Sequence, residues 1–222
     1  MTKQLVLFCD FDGTITENDN IIAIMKQFAP PEWEALKDDI LAERISVQEG
    51  VGKMFSLLPS TLKDEIVDFL RRTARLRAGF REFVAFTKER GIPLYIVSGG
   101  IDFFVYPLLE GLIEPERIFC NGSDFSGETI RITWPHACDG ECQNGCGCCK
   151  PSLLRKLARP DGYHVVIGDS ITDLAVAKQA DYVLARDFLL EKCRALGLPH
   201  APFATFFDVI DALQRMEAFN CS

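Results

Sequence analysis

The sequence lacks any hydrophobic run long enough to cross a membrane. A transmembrane helix needs about 20 consecutive apolar residues, and no stretch of this chain approaches that length. The apolar segment near the N-terminus is cut short by Asp10 and Asp12, so we expect no signal peptide. We therefore expect a cytoplasmic protein without a membrane partner.

The chain is also poor in positive charge. Its 24 Lys and Arg residues are outnumbered by 32 Asp and Glu residues, which gives a formal net charge of −8. Proteins that bind nucleic acids or anionic membrane surfaces rely on clustered Lys and Arg. We therefore expect neither nucleic acid nor a membrane surface as a partner.

Internal repeats and low-complexity linkers are missing as well, so tethered modules are not expected. The 222 residues suffice for about one and a half domains of ordinary size. With 48% hydrophobic and 25% charged residues, the composition is typical of a globular protein with a substantial core. The length predicts one core with a modest insert, and nothing in the sequence predicts an oligomeric state.

Short apolar segments alternate with amphipathic segments along most of the chain. Strands are predicted at 5–9, 94–98, 117–120, 164–168 and 182–185, and helices at 80–89, 102–110, 151–158, 171–179 and 205–217. Strands separated by helices imply right-handed crossovers and a mainly parallel sheet. The predicted fold class is therefore α/β, with a Rossmann-like parallel sheet.

Residues 18–77 have a different pattern. Their apolar residues recur at spacings of three and four, which is typical of amphipathic helices. Pro30, Pro31 and the segment 58–60 indicate turns between these helices. We therefore predict a small helical domain over 18–77, inserted after the first strand of an α/β core that comprises 1–17 and 78–222.

Two aspartates follow the first predicted strand. In an extended chain the side chains of Asp10 and Asp12 project to the same side, and two like charges there favour a bound cation. Gly13 and Thr14 supply a turn that can direct backbone N–H groups toward an anion. Because carboxylate oxygens bind Mg²⁺ and Mg²⁺ binds phosphate oxygens, this strand end is a candidate magnesium and phosphate site.

Ser98 stands at the end of a second predicted strand. Gly99 and Gly100 follow it and are predicted to open a helix, whose free N–H groups attract anions. This arrangement makes Ser98 and Gly99 candidate phosphate ligands.

Three charged residues complete the candidate site. Asp169 and Asp173 follow the strand at 164–168, and their four-residue interval places both on one face of a helical turn. Lys150 precedes a predicted helix and carries a compact charge suited to a phosphoryl oxygen.

The order of these motifs resembles the haloacid dehalogenase (HAD) superfamily of phosphohydrolases. The matching segments are DFDGT at 10–14, Ser98 in IVSGG, Lys150, and GDSITD at 168–173. The resemblance covers nearly the whole chain and includes a helical cap between the first two motifs. Ser170 departs from the glycine of many members, but a small residue remains there.

The resemblance implies chemical roles for the four aspartates. Asp10 is the nucleophile that forms an aspartyl-phosphate, and Asp12 protonates the leaving oxygen and later deprotonates water. Mg²⁺ is held by Asp10, by the backbone carbonyl of Asp12 and by Asp169. Asp173 orients ligands or water at the metal.

The same resemblance assigns the transferring phosphoryl oxygens to Ser98, Gly99 and Lys150, whose fixed positive groups would meet the charge of the transition state. An alternative from another functional class is a non-catalytic phosphate-binding or metal-binding module that kept the fold. Asp12 argues against such a module, because binding alone would not need an acid at this position.

The helical cap is expected to select the substrate. Glu17 and Arg44 resemble positions that phosphoserine phosphatases of the superfamily use for the amino and carboxylate groups of their substrate. The structural alternative is a helix-cap acid and a solvated arginine. Taken as a whole, the chain resembles phosphatases of bacterial methionine salvage, which implies a small phosphorylated substrate with a thioether. A phosphoserine phosphatase-like activity is the alternative.

The nine cysteines are odd in number, and five of them lie between Cys138 and Cys149. This pattern differs from the disulfide framework of secreted proteins. Closely spaced thiolates favour zinc, and the candidate ligands are Cys138, Cys142, Cys146 and Cys148. The alternative is a set of reduced thiols in a glycine-rich loop. The remaining cysteines, Cys9, Cys120, Cys193 and Cys221, are expected to be small hydrophobic residues.

Overall fold

Seven strands form one sheet in the computed structural model of the protein, which describes residues 3–220 and the side chains of residues 3–216. The strands are β1 (Gln4–Cys9), β2 (Leu94–Ile101), β3 (Ile118–Asp124), β4 (Arg131–Thr133), β5 (Gly162–Gly168), β6 (Tyr182–Ala185) and β7 (His200–Pro202). Their order is β4-β3-β2-β1-β5-β6-β7. Neighbouring strands are parallel, except that β4 runs antiparallel to β3. The predicted α/β fold is confirmed.

Ten α-helices connect the strands within the part of the chain that the structure describes. They are α1 (Asn20–Phe28), α2 (Trp33–Leu41), α3 (Val47–Ser56), α4 (Lys63–Thr73), α5 (Phe80–Glu89), α6 (Asp102–Leu109), α7 (Lys150–Leu157), α8 (Ile171–Ala177), α9 (Asp187–Leu196) and α10 (Phe206–Asn220). Short 3₁₀ turns lie at Ser60–Leu62 and Pro115–Arg117. Over residues 3–220, no helix is both long and apolar enough to cross a bilayer.

The central strand β1 is buried on both faces, as its unbroken apolar sequence predicts. Alternate side chains of a strand point to opposite faces. Accordingly Leu5, Leu7 and Cys9 belong to one hydrophobic cluster, whereas Val6 and Phe8 belong to another. The first cluster includes residues of α5 and α10, and the second includes residues of α7 and α8. Helices therefore cover both faces of the sheet.

Four helices, α1 to α4, occupy the segment between β1 and α5. Two of them begin at N-caps that the sequence supplies, since Asp19 accepts a hydrogen bond from the N–H of Ile22 and Ser46 accepts one from Glu49. Apolar residues of these helices extend the cluster that contains Leu7: Ile24, Met25, Trp33, Met54, Phe55 and Ile66. The insert and the sheet thus share one continuous hydrophobic core.

The two ends of the insert run side by side. Thr16 and Leu76 form an antiparallel bridge, the N–H of Glu17 donates to the carbonyl of Arg75 at 2.9 Å, and the N–H of Arg77 donates to Ile15 at 2.8 Å. These contacts, called the stem below, fix the entry and exit of the insert directly beside the turn that follows β1.

The structure corrects the prediction for Gly99 and Gly100. Both lie inside β2, which continues to Ile101, and α6 begins only at Asp102. The register between β2 and β3 shifts between Val97 and Ile101, and the side-chain amide of Asn121 donates to the carbonyl of Gly99 at 2.7 Å. This irregular pairing lets the strand continue past the residues that were expected to end it.

The isolated cysteines follow the prediction where the structure describes them. Cys9, Cys120 and Cys193 are buried among apolar side chains. Cys221 lies outside the described residues.

Candidate active site

The carboxyl ends of three adjacent strands bring the candidate residues together. Strand β1 pairs with β2 and with β5, and Cys9 is opposite both Ile96 and Ile167. Because all three strands are parallel, Asp10, Ser98 and Asp169 follow at the same edge of the sheet. The N–H of Asp10 donates to the carbonyl of Ile167 at 2.9 Å, which fixes the backbone of Asp10 against β5.

Lys150 stands between two buried aspartates. Its Nζ lies 2.6 Å from Oδ1 of Asp10 and 2.6 Å from Oδ1 of Asp173. Burial opposes the charge on Lys150, but the two carboxylates raise the pKa of the amine above its usual range. Lys150 is therefore a fixed positive charge beside Asp10.

Asp173 is fully engaged by the protein. Its Oδ1 accepts the hydrogen bond from Lys150, and its Oδ2 accepts from the N–H groups of Asp169 at 3.1 Å and Ser170 at 3.0 Å. The second oxygen thereby caps the N-terminus of α8. These contacts orient Asp173 toward Lys150 and hold the segment that carries Asp169.

Asp169 packs against the turn after β1. The Thr14 hydroxyl donates to Oδ1 of Asp169 at 2.5 Å. Gly13 has a φ of +79°, and a Cβ at this position would come within 2.5 Å of Oδ2 of Asp169. The turn therefore needs glycine for its backbone conformation and for the close approach of the carboxylate.

Three carboxylates, two of them buried and one half-buried, form an oxygen-rich cluster that fits a divalent cation. Oxygens of Asp10, Asp169 and Asp173 lie within 4.8 Å of one another, and Lys150 balances only one of these three charges. Burial and the charge of Asp173 raise the pKa of Asp10, while Lys150 opposes that rise. Burial also raises the pKa of Asp169 to about 6. A hard cation with oxygen ligands, such as Mg²⁺, would compensate the excess negative charge.

Asp12 occupies a different environment from Asp10. Its Oδ1 accepts hydrogen bonds from the backbone N–H of Asn20 at 2.9 Å and from the Asn20 side-chain amide at 2.6 Å. Burial and the nearby charge of Asp19 raise the pKa of Asp12 to about 7, and the hydrogen bonds from Asn20 oppose that rise. Asp12 is therefore suited to carry a proton near neutral pH.

Sequence reasoning did not identify Asn20 as part of the site. Asn20 is the first residue of α1 and is only 2% exposed, and its side-chain amide also contacts the Thr16 hydroxyl at 3.0 Å. An asparagine at the start of a helix is common, so the sequence contained no signal that separated this residue from an ordinary helix start.

Arg77 was also missed. Its guanidinium is buried and donates to the backbone carbonyls of Gly13 at 2.7 Å, Thr14 at 2.8 Å and Thr16 at 3.4 Å. Arg77 thus stabilises the turn after Asp12 by binding its backbone carbonyls. A sequence motif does not reveal such contacts, because their acceptors are not side chains.

Ser98 and Asp12 meet around Gly100. Ser98 is fully buried, and its Oγ accepts a hydrogen bond from the N–H of Gly100 at 2.9 Å. A Cβ at Gly100 would lie 2.9 Å from Oδ2 of Asp12 and 3.0 Å from Oγ of Ser98. The space beside this glycine therefore adjoins the hydroxyl of Ser98 and the carboxylate oxygen of Asp12 that Asn20 does not contact.

The two candidate residues for the substrate's charged groups lie on the surface. Glu17 is exposed, and its backbone N–H belongs to the stem. Arg44 is exposed, and its guanidinium pairs with Asp39 at 2.6 Å. Asp39 therefore already occupies the guanidinium group to which a substrate carboxylate was predicted to bind.

The cysteine segment before Lys150 brings four sulfurs together. The Sγ atoms of Cys138, Cys142, Cys146 and Cys149 lie within 4.8 Å of one another. The prediction that Cys148 joins this set is wrong, and Cys149 takes its place. The Sγ atom of Cys148 faces the carbonyl of Phe119 at 3.6 Å, and its side chain packs in the cluster of Val6 and Phe8. Adjacent residues in an extended segment point to opposite sides, so only one of the pair Cys148 and Cys149 can join the other sulfurs.

Comparisons with known proteins agree on a family and on a fold. The sequence matches the haloacid dehalogenase-like hydrolases over residues 7–178. It is 96% identical over 217 residues to the 2-hydroxy-3-keto-5-methylthiopentenyl-1-phosphate phosphatase of Geobacillus kaustophilus (strain HTA426), covering 98% of this chain and 99% of that protein. The protein of the same name from Geobacillus thermodenitrificans (strain NG80-2) is 90% identical, with the same coverage. A substrate-bound phosphoserine phosphatase has a similar fold, with a TM-score of 0.65 at 21% identity over 86% of this chain and 91% of that one.

Proposed function

The chain belongs to the haloacid dehalogenase-like hydrolases, and we propose that it hydrolyses 2-hydroxy-3-keto-5-methylthiopentenyl-1-phosphate, a phosphate monoester of methionine salvage. The names of its relatives at 96% and 90% identity support this substrate. One observation carries the proposed mechanism. Asp10 and Asp12 are two residues apart, yet Asp10 contacts a lysine whereas Asp12 contacts an asparagine.

These two environments suit two different tasks. Burial and the charge of Asp173 raise the pKa of Asp10, but Lys150 opposes that rise and so favours the ionised form that a nucleophile requires. Among the side chains that the structure describes, Asp12 has no such cation in contact. Burial favours the protonated form of Asp12, as a general acid requires. The pair therefore divides nucleophilic attack and proton transfer between two carboxyl groups.

The proposed reaction has two steps. An oxygen of Asp10 attacks phosphorus, the bond from phosphorus to the ester oxygen breaks, and the leaving oxygen takes the proton of Asp12. A water molecule then attacks the phosphorus of the aspartyl-phosphate while Asp12 takes its proton. The bond from phosphorus to Asp10 breaks, so inorganic phosphate leaves and both carboxyl groups return to their initial states.

Fixed groups around Asp10 would hold the phosphoryl oxygens. Lys150 supplies a charge that Asp173 keeps in place, and Ser98 supplies a buried hydroxyl. Preorganised donors of this kind stabilise the charge of a transition state without reorganising during the reaction. The role of Gly99 stays a prediction from the family resemblance, because its backbone lies inside β2 and not at a helix start.

We further propose Mg²⁺ as the cofactor, held by Asp10, Asp169 and the backbone carbonyl of Asp12. Bound there, it would neutralise phosphoryl charge and align the ester for attack. Asp173 acts on this site indirectly, because both of its oxygens already accept hydrogen bonds from the protein.

Residues 18–77 are proposed to act as a cap domain that selects the substrate. In the proposed complex the strand-end groups contact only the phosphoryl group, which every phosphate ester shares. Discrimination must then come from residues that cover the rest of the molecule. A phosphoserine phosphatase activity would require Arg44 to exchange its carboxylate partner Asp39 for that of the substrate.

A panel of phosphate esters tests the substrate. It should contain the methylthiopentenyl phosphate, phosphoserine, a sugar phosphate and a nucleoside monophosphate, with phosphate release as the readout. We expect kcat/KM for the methylthiopentenyl phosphate to exceed that for phosphoserine at least tenfold, about 1.4 kcal/mol. A preference for phosphoserine would contradict the substrate and leave the phosphatase mechanism standing.

Asp10→Asn tests the mechanism with the same substrates. The amide is a poor nucleophile, so turnover and covalent phosphate on the protein should both disappear while the circular dichroism spectrum stays unchanged. Activity close to that of the unmodified protein would exclude Asp10 as the nucleophile.

A further inference from the structure

The segment that connects β4 to α7 contains no helix or strand. It comprises residues 134–149, and loops of this length without secondary structure are uncommon in compact domains unless they have a function or a cross-link. Four cysteine sulfurs converge in this segment. The described cysteines form no disulfide.

The spacing of the sulfurs matches a shared metal ion. Sγ of Cys142 and Sγ of Cys146 are 3.8 Å apart. Tetrahedral zinc with a zinc to sulfur distance of about 2.3 Å places its sulfur ligands about 3.8 Å from one another. The sulfurs are also oriented by donors, since Cys138 accepts a hydrogen bond from the N–H of Cys146 at 3.5 Å and Cys149 accepts one from the Ser152 hydroxyl at 2.9 Å.

We propose that Cys138, Cys142, Cys146 and Cys149 bind one Zn²⁺ ion. Four thiolates complete the tetrahedral shell and leave no open position, which is the arrangement of a structural site and not of a catalytic one. Each thiol that becomes a ligand releases its proton to the solvent. Zinc binding would therefore cross-link a loop that contains no helix or strand.

The zinc site joins two parts of the molecule that serve the proposed reaction. Cys149 directly precedes Lys150, and its N–H donates to the carbonyl of His136 at 2.7 Å. On the other side of the loop, the carbonyl of Gly145 accepts a hydrogen bond from the N–H of Gln48 at the start of α3. The ion would thus fix both Lys150 and the contact between the loop and the insert.

The effect on Lys150 rests on the proposed function, whereas the presence of zinc does not. Metal content and phosphate release therefore test the two proposals separately. A protein with zinc but without phosphatase activity would contradict only the proposed function, and an active enzyme without zinc would contradict only this site.

Metal analysis of the protein purified without added metal is the first experiment. Inductively coupled plasma mass spectrometry should find one zinc per chain, and an organomercurial that reacts with thiols should release it to a chromogenic chelator. A metal-free protein whose thiols all react in the native state would overturn the proposal. An intact-protein mass that shows disulfides among these cysteines would overturn it as well. One equivalent of a metal other than zinc would have the same consequence.

Two neighbouring cysteines provide a matched pair of variants. Cys149→Ser removes a proposed ligand and should lose most of the bound zinc, whereas Cys148→Ser should retain it, because Cys148 lies outside the sulfur cluster. Retention by Cys149→Ser together with loss by Cys148→Ser would refute the ligand set. If Cys149→Ser does not fold, Cys142→Ser replaces it, since Cys142 lies far from Lys150 in the loop sequence.

Discussion

Asn20 donates two hydrogen bonds to a single oxygen of Asp12, one from its backbone and one from its side-chain amide. The first residue of α1, the first helix of the insert, therefore contacts the proposed general acid directly. Both bonds end on Oδ1 of Asp12. Its Oδ2 lies on the other side, next to Gly100. This contact couples the position of α1 to proton transfer.

Asn20→Ala should lower kcat by about tenfold to a hundredfold, because a small displacement of a catalytic group has effects of this size. The loss should be larger for an alkyl phosphate than for 4-nitrophenyl phosphate, whose leaving group needs less protonation. Steady-state kinetics with both substrates measures the difference. Asn18→Ala, at an exposed position two residues before Asn20, is the control. Equal losses on both substrates would assign Asn20 a purely structural role.

The raised pKa of Asp12 predicts the pH dependence of phosphoryl transfer. A pKa of about 7 leaves Asp12 protonated below neutral pH, and protonation is the state that the first step requires. The rate of aspartyl-phosphate formation from an alkyl phosphate should therefore fall as the pH rises through about 7. Single-turnover measurements test this, and Asp12→Asn should be slower by roughly 10²–10⁴-fold and lack the alkaline decline. An unchanged decline in that variant would assign the titration to another group.

Arg77→Met should destabilise the protein. The substitution leaves the carbonyls of Gly13 and Thr14 without their buried charged donor, and a loss of about 2–3 kcal/mol in the free energy of unfolding is expected for such groups. Urea unfolding monitored by fluorescence gives the value. Arg75→Met is the matched control, since Arg75 is exposed and should change stability by less than about 0.5 kcal/mol.

Removal of divalent cations should abolish phosphate release, and added Mg²⁺ should restore it. Because a ligand that binds only the folded state stabilises it, Mg²⁺ should also raise the melting temperature of the unmodified protein. Asp169→Asn should reduce this shift, because it removes a proposed carboxylate ligand. Full activity in the chelator-treated, metal-free protein would contradict the magnesium site.

The sequence predicted most of the longer elements and missed the two shortest strands and one helix. The helix at 80–89 and the strand at 182–185 have the predicted bounds. Strands β4 and β7 have three residues each, too few for an alternating pattern. Helix α9 was missed although Gly197, with a φ of +65°, supplies a typical helix end.

In the candidate site, the sequence revealed the residues of the ordered motifs and missed two residues that support them. Residues that carry functional groups in a fixed order, such as Asp10 and Lys150, were found because their chemistry is visible in the sequence. Asn20 and Arg77 act through hydrogen bonds whose partners are 8 and 64 residues away, and a single sequence does not reveal such pairs. The roles of Glu17 and Arg44 stay predictions.

The stem has a consequence for how proteins of this architecture diversify. The chain enters and leaves the insert as two paired segments, and insertions are tolerated best where their ends lie close together. The insert also shares the hydrophobic core of the sheet, so a replacement segment would have to supply apolar side chains for that core. A different helical segment joined at 16 and 76 would meet the same hydrogen-bonding partners at its base. Exchange of the helical segment at the stem would therefore change the substrate while Asp10, Ser98 and Lys150 keep their positions at the edge of the sheet.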